Sequence, residues 1–328
     1  MFRKTLKHLK IFLIIIIVLV CLPHSILPRQ TSDFEKNDFK NYLKLNESES
    51  RLTEFKDDEE ALKLKLIQLD IINKSRKRNN AQPVKLDILA SRVANKMSRE
   101  AAENNYVGHW NMAGEKPYHR YASAGGYDHI SENAFGEWTT DRYVNSPSTI
   151  SEMMKKGHDS FMSERAPADR HKKNIIDKSH NYVGIGFYLS RNQFRYYEEF
   201  IDRYFEFKDI PGEVKVDEPC SITVKTEDEN FLYYLIIYRE KFPQVLTPSQ
   251  IINKGSYEDY SNEEYLKIAA WDLARYRSGT SYKIPLMFSK EGLYYIHIYY
   301  DKKENTKPAS MNTKGKTPAS GIVIKVNK

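Results

Sequence analysis

Gly108-His109-Trp110, Ser131-Glu132-Asn133-Ala134, Phe161-Met162-Ser163-Glu164 and His171-Lys172-Lys173-Asn174-Ile175-Ile176 punctuate the stretch from Leu86 to Phe205. Each lies where an apolar periodicity stops or a turn begins. Leu86, Leu89, Ala90, Val93, Ala94, Met97 and Ala101 recur at three and four, which predicts a helix with one apolar stripe over 86–103. Asn104, Asn105 and Gly108 end it. A second helical pattern covers Ser148 to Met162, a short helix is expected over His171–Ile176, and Ser131–Ala134 reads as a helical turn. Aromatic and β-branched residues over Tyr182–Tyr188 and Arg195–Phe207 predict strands paired as a hairpin.

The chemistry lies in the breaks. Two imidazoles, His109 and His171, and two acids, Glu132 and Glu164, spread over some sixty residues, are suited to one polar cleft. Such a group can hold a divalent ion such as Zn2+ or share protons. The spacing lacks the compact pairing of metal-binding histidines on one helix, so a polar core with capping histidines stays open beside the metal reading. Trp110, Tyr118, His119 and Tyr121 are expected at the cleft rim, and His129 lies in the same long loop. His158 is expected at a helix surface or cap, and His180 in a turn.

Taken in order, these motifs resemble the CAP superfamily of cysteine-rich secretory, antigen 5 and pathogenesis-related proteins, closest to its bacterial SCP-like members. Gly108-His109-Trp110 sits where that family has a histidine. Ser131-Glu132-Asn133-Ala134 is similar to its Gly-Glu-Asn motif, Phe161-Met162-Ser163-Glu164 to its Trp-x-x-Glu, and His171–Ile176 to its bacterial His-Arg-x-Asn-Ile-Leu run. Pro117-Tyr118-His119-Arg120 and Val183-Gly184-Ile185-Gly186 extend the likeness over about 65–207. The resemblance implies an α+β fold, an α-β-α sandwich, with His109, Glu132, Glu164 and His171 lining its cleft and able to hold a metal. It also implies that Gly184 and Gly186 are structural; a strand running straight through them is no phosphate cradle, so nucleotide is not expected. The family's disulfides have no counterpart here.

Outward from this core, Arg3, Lys4, Lys7 and Lys10 precede an apolar run from Ile11 to Leu22, the order of a secretory signal or an uncleaved N-terminal anchor. Residues 1–29 are therefore assigned to export, giving a secreted, extracellular or membrane-anchored protein. The formal charge of +7 shrinks to +2 without that piece, because five bases and no acid fall in it. Nucleic acid is thereby disfavoured as a partner. With Cys220 the sole cysteine after Cys21, no internal disulfide is expected, and covalent catalysis in the core lacks a candidate. Residues 30–58 read as a polar linker, with Asn46-Glu47-Ser48 as a candidate glycosylation acceptor, and 59–208 as the CAP-like domain. Arg76, Lys77 and Arg78 read as a solvated turn.

From 209 to 328 short alternating runs, such as Leu293–Tyr300, predict a small β-sandwich-like accessory domain, with a helical insertion near Asn262–Leu273. The expected function is a non-enzymatic exported binding protein whose cleft engages a lipid, sterol, peptide or partner surface. A metal-assisted hydrolase or peptidase with Glu132 as general base, and cell-surface adhesion through the C-terminal domain, are the alternatives.

Overall fold

The apolar stripe after Leu86 becomes a helix because it finds a sheet with glycines under it. In the computed structural model, which describes residues 33–227, 230–258, 261 and 263–328, Ile88–Glu103 forms α3, capped by the Asp87 carboxylate on the Ala90 N–H. The helices before it are α1 (Asp33–Ser48) and α2 (Glu59–Arg78). Beneath α3 lies a four-stranded sheet in the order β1 (Lys85–Leu86), β3 (Tyr182–Leu189), β4 (Gln193–Asp202), β2 (His129–Trp138). A Cβ on Gly184 would lie 2.5 Å from the Ala90 backbone, and one on Gly186 2.2 Å from that of Ala94. Two glycines thus let the helix settle directly on β3, the structural role expected of them.

The other face of the sheet, including Val183 and Ile185, packs into one cluster with α2 and α5 (Pro147–Ser163). α4 (Pro117–Ser123) lies near β2, and α6 (Arg170–Ile176) follows α5. Helix, sheet, helix is the expected α-β-α sandwich in an α+β chain. The second module holds β5 (Phe205–Lys208), β7 (Cys220–Thr226), β11 (Ser281–Leu286) and β10 (Arg277–Ser278) in one sheet. β6 (Glu213–Lys215), β14 (Ile322–Asn327), β12 (Gly292–Asp301), β8 (Phe231–Glu240) and β9 (Glu263–Ala269) form the other, with β13 (Thr317–Pro318) against β12. Both sheets feed a single apolar cluster, as a sandwich requires.

Several expectations are corrected. Glu132 stands in a ten-residue strand and not in a helical turn; its alternating neighbours serve two sides of β2, which a helix would prevent. Residues 33–48 are helical, and Arg92 of α3 donates to carbonyls of Asn46, Glu49 and Arg51, so the expected 30–58 linker is, in its described part, packed onto the domain. Asn46 is buried with its amide on the Asp57 carbonyl, which removes it as a glycosylation acceptor. Arg76 is fully buried, donating to the carbonyls of Gln82, Ile175, Asp177 and His180. Phe205–Lys208 pairs with β7, so the second module begins before 209. Of the helix expected near 262–273, only Ala270–Leu273 is helical; Glu263–Ala269 before it is β9, and a longer helix, α7 (Pro248–Lys254), capped by Thr247 and Gln250, precedes that strand. The 1–29 segment expected to direct export lies outside the described residues; among those described, no helix is long and apolar enough to cross a membrane.

Candidate functional site

β2 is an edge strand, and the cleft forms across it. Glu132 and Asn133 are consecutive, so their side chains leave opposite faces. Glu132 Oε1 meets His109 Nδ1 at 2.8 Å, while Asn133 Nδ2 donates to the His171 carbonyl at 3.2 Å. His171 Nδ1 lies 2.5 Å from Glu164 Oε1, and Glu164 Oε2 accepts the His171 N–H at 3.0 Å. The two imidazole centroids are 6.5 Å apart. Folding therefore gathers all four expected residues as two carboxylate–imidazole pairs facing one another.

Their supports run deep. Ser131 Oγ donates to Asn174 Oδ1, and Asn174 Nδ2 to Asn133 Oδ1. Asn133 also donates to Glu198, which receives the Tyr196 hydroxyl and pairs with His158 Nδ1 at 2.9 Å; His158 Nε2 reaches Ser75 Oγ at 2.9 Å. Ser75, His158 and Glu198 follow the acid–base order of a nucleophile triad, yet all three are buried, and their chain ends on the residue that holds His171. His158 is a core residue, contrary to the surface or cap expected. His180 is buried as well, sharing Asp202 with His129.

On the other side, Arg120 binds Glu132 Oε2 and donates to the His109 carbonyl. Glu199, the register partner of Glu132 on β4, is buried beside it. Burial raises Glu132 to about 7 against the pull of Arg120, and raises Glu199 further, with the Glu132 charge adding to the effect. One proton between the two belongs on Glu199, since Glu132 already has His109 and Arg120 as partners. Burial and the Arg120 guanidinium push His109 down to about 4, so near neutrality its ring is uncharged. A neutral ring with Nδ1–H on Glu132 presents Nε2 as a bare acceptor.

The expected rim is less uniform. Trp110 stays beside the cleft. Tyr118, His119 and Tyr121 are buried: Tyr118 stacks on Tyr295 of the second module, His119 Nε2 lies 3.2 Å from Glu240, and the Tyr121 hydroxyl donates to Asp128. Tyr118 and His119 thus serve an interface between modules, and Tyr121 is held inside the first module by Asp128 and Arg203. Tyr257, absent from the expected set, stands 5.0 Å from the His109 ring, and its hydroxyl accepts the Glu132 N–H at 3.0 Å. Cavities of about 670 and 600 Å3 lie elsewhere, around Arg203, and none of the four cleft residues lines either.

As a metal centre the tetrad fits poorly. Both oxygens of each carboxylate are committed, Glu132 to His109 and Arg120, Glu164 to His171 and nearby backbone N–H groups. A cation would meet two imidazole nitrogens, fewer than the three protein ligands of catalytic zinc. Among the described residues, no group of three or more His, Cys, Asp or Glu is arranged to hold a metal.

Residues 69–200 match the model of the cysteine-rich secretory protein family, CAP. Solved structures similar to the chain include an extracellular SCP-domain protein from Bacillus anthracis, at 19% identity over 42% of this chain and 40% of that one, TM-score 0.33. Others are an outer surface protein from Borrelia burgdorferi (17% identity, 43% and 93% covered, TM-score 0.35) and a cysteine-rich secretory protein from Staphylococcus aureus (14%, 42% and 38%, TM-score 0.26). The chain thus spans about two fifths of the Bacillus and Staphylococcus proteins. No curated protein matches it.

Proposed function

For a chain that carries a CAP domain over residues 69–200, we propose a binding role: an exported, non-enzymatic protein whose His109–His171 cleft recognises a peptide or a partner's surface. The observation that carries this reading is the commitment of Nδ1 on both imidazoles to carboxylates. Each ring is held in place, and its other nitrogen is left to meet a ligand. A neutral His109 Nε2 accepts hydrogen bonds, which suits the N–H and O–H groups of a peptide. Lipid and sterol ligands fit less well, since the 670 Å3 cavity is lined by Glu49, Arg51, Asp87, Asp128 and Arg203 as well as by aromatic rings, and the 600 Å3 cavity by Arg203, Glu206, Lys225 and Glu227. General-base hydrolysis is disfavoured because both Glu132 oxygens are occupied.

The test is selection of a displayed random-peptide library on the wild-type chain, with the His109→Ala/His171→Ala variant as counter-selection. Selected peptides should bind the wild type by calorimetry and lose affinity for the variant. Peptides that bind both equally, or that the wild type cleaves, would overturn the reading.

A further inference from the structure

The β8–β9 connection of the second module crosses back over the first. The Leu246 N–H donates to the Met112 carbonyl at 2.8 Å, tying the strap to the loop that carries His109. One helical turn on, Ile251 is buried among Met97, Ala101, Tyr106, Trp110 and Tyr197. A Cβ on Gly108 would lie 2.8 Å from the Ile251 side chain, so the residue before His109 is small where the strap presses on it. Lys254 lies 5.0 Å over the Trp110 ring. The strap then delivers Tyr257 to the cleft, with its ring against His109, edge-on to Trp110, and its hydroxyl on the Glu132 N–H.

That last bond has a physical reason. An edge strand leaves backbone N–H groups without a sheet partner, and β2 is the edge. The Tyr257 hydroxyl satisfies the one belonging to the residue that aims His109. The consequence is an asymmetric cleft: the His109 side chain is 12% exposed and that of His171 33%.

We propose that Tyr257, supplied by the second module, is a positioning residue of the CAP cleft, holding Glu132 and covering His109 so that a ligand meets His171 first. This deepens the binding reading above and rests on it for the word ligand. The geometry itself is tested without one. It also makes the second module part of the site, in place of a separate adhesive domain.

The experiment is histidine modification by diethyl pyrocarbonate near neutral pH on the full chain, with rates for His109 and His171 read by peptide mass spectrometry. In the wild type His109 should react more slowly than His171. Tyr257→Ala should speed His109 several-fold and leave His171 unchanged, while Tyr257→Phe, which keeps the ring, should stay close to the wild-type rate. Thermal unfolding by circular dichroism controls for the fold, and Tyr257→Leu takes the place of the alanine variant should that one fail to fold. An unchanged His109 rate, or equal acceleration of both histidines, overturns the proposal. Because no ligand enters, failure of peptide selection and failure of this assay are separate results.

Discussion

Tyr118 and Tyr295 lie face to face, with ring centroids 4.2 Å apart and planes 9° from parallel, and they join the α-β-α sandwich to the central strand of the second module. The Tyr118 hydroxyl donates to Glu240, which Lys116 and His119 also approach. One carboxylate of the second module is thus held by three residues at the start of α4, Lys116, Tyr118 and His119, together with the apolar stack beneath.

Glu240 gives this junction a pH dependence. Burial alone would raise its carboxyl, but donors from His119, Lys116 and Tyr118 hold it down to about 2. An acid lowered on folding stabilises above its unfolded value, near 4.5, and that contribution is lost as the pH falls toward about 2. The full effect is about 3 kcal/mol. Chemical denaturation of the wild type should weaken across that window, and Glu240→Gln should flatten the dependence there. An identical slope in the variant would show that Glu240 is not responsible.

Gly186→Ala should destabilise the sandwich by about 1–3 kcal/mol, since the new methyl meets the Ala94 backbone and one element must shift. Gly212, whose Cβ would meet nothing within 4 Å, is the matched control. Urea midpoints for the two alanine variants make the comparison; equal midpoints would mean that α3 does not sit this close to β3.

Arg76→Met should cost about 3 kcal/mol, because it keeps the apolar stem but strips donors from four carbonyls at the end of α2 and around α6. Hydrogen exchange should then quicken in 170–180, next to His171. Loss of stability without local exchange would assign Arg76 to general packing.

Glu164→Gln replaces the carboxylate that takes both Nδ1 and the backbone N–H of His171. A charge-assisted bond becomes a neutral one, so about 1 kcal/mol of stability and a several-fold loss of peptide affinity are expected. Calorimetry against a selected peptide reads the affinity, and unchanged binding would remove Glu164 from the orienting role.

Much of this was legible in the residue order. The stripe from Leu89 to Ala101 and the glycines of 184 and 186 describe a helix lying on a strand, and the alternation of Tyr294, Ile296 and Ile298 marks the sandwich core. Ser131-Glu132-Asn133 misled as a turn because three polar residues in succession look unlike a strand. Here each is polar because each holds another cleft element. Arg76 and His158 look like surface residues, since sequence does not display the carbonyls or the glutamate that satisfy them in the core. Tyr257 was hidden by distance, 148 positions from His109. The Thr247-Pro248-x-Gln250 capping box and Ile251 were nonetheless a readable sign of an apolar-faced helix needing a partner surface.

The most direct test of the cleft's character is the 15N NMR titration of the His109 imidazole in the full chain. The ring is expected to be neutral, protonated at Nδ1 and bare at Nε2, and to stay so until the pH falls toward about 4. An imidazolium forming near the ordinary value of about 6.5, or a neutral ring protonated at Nε2, would contradict it.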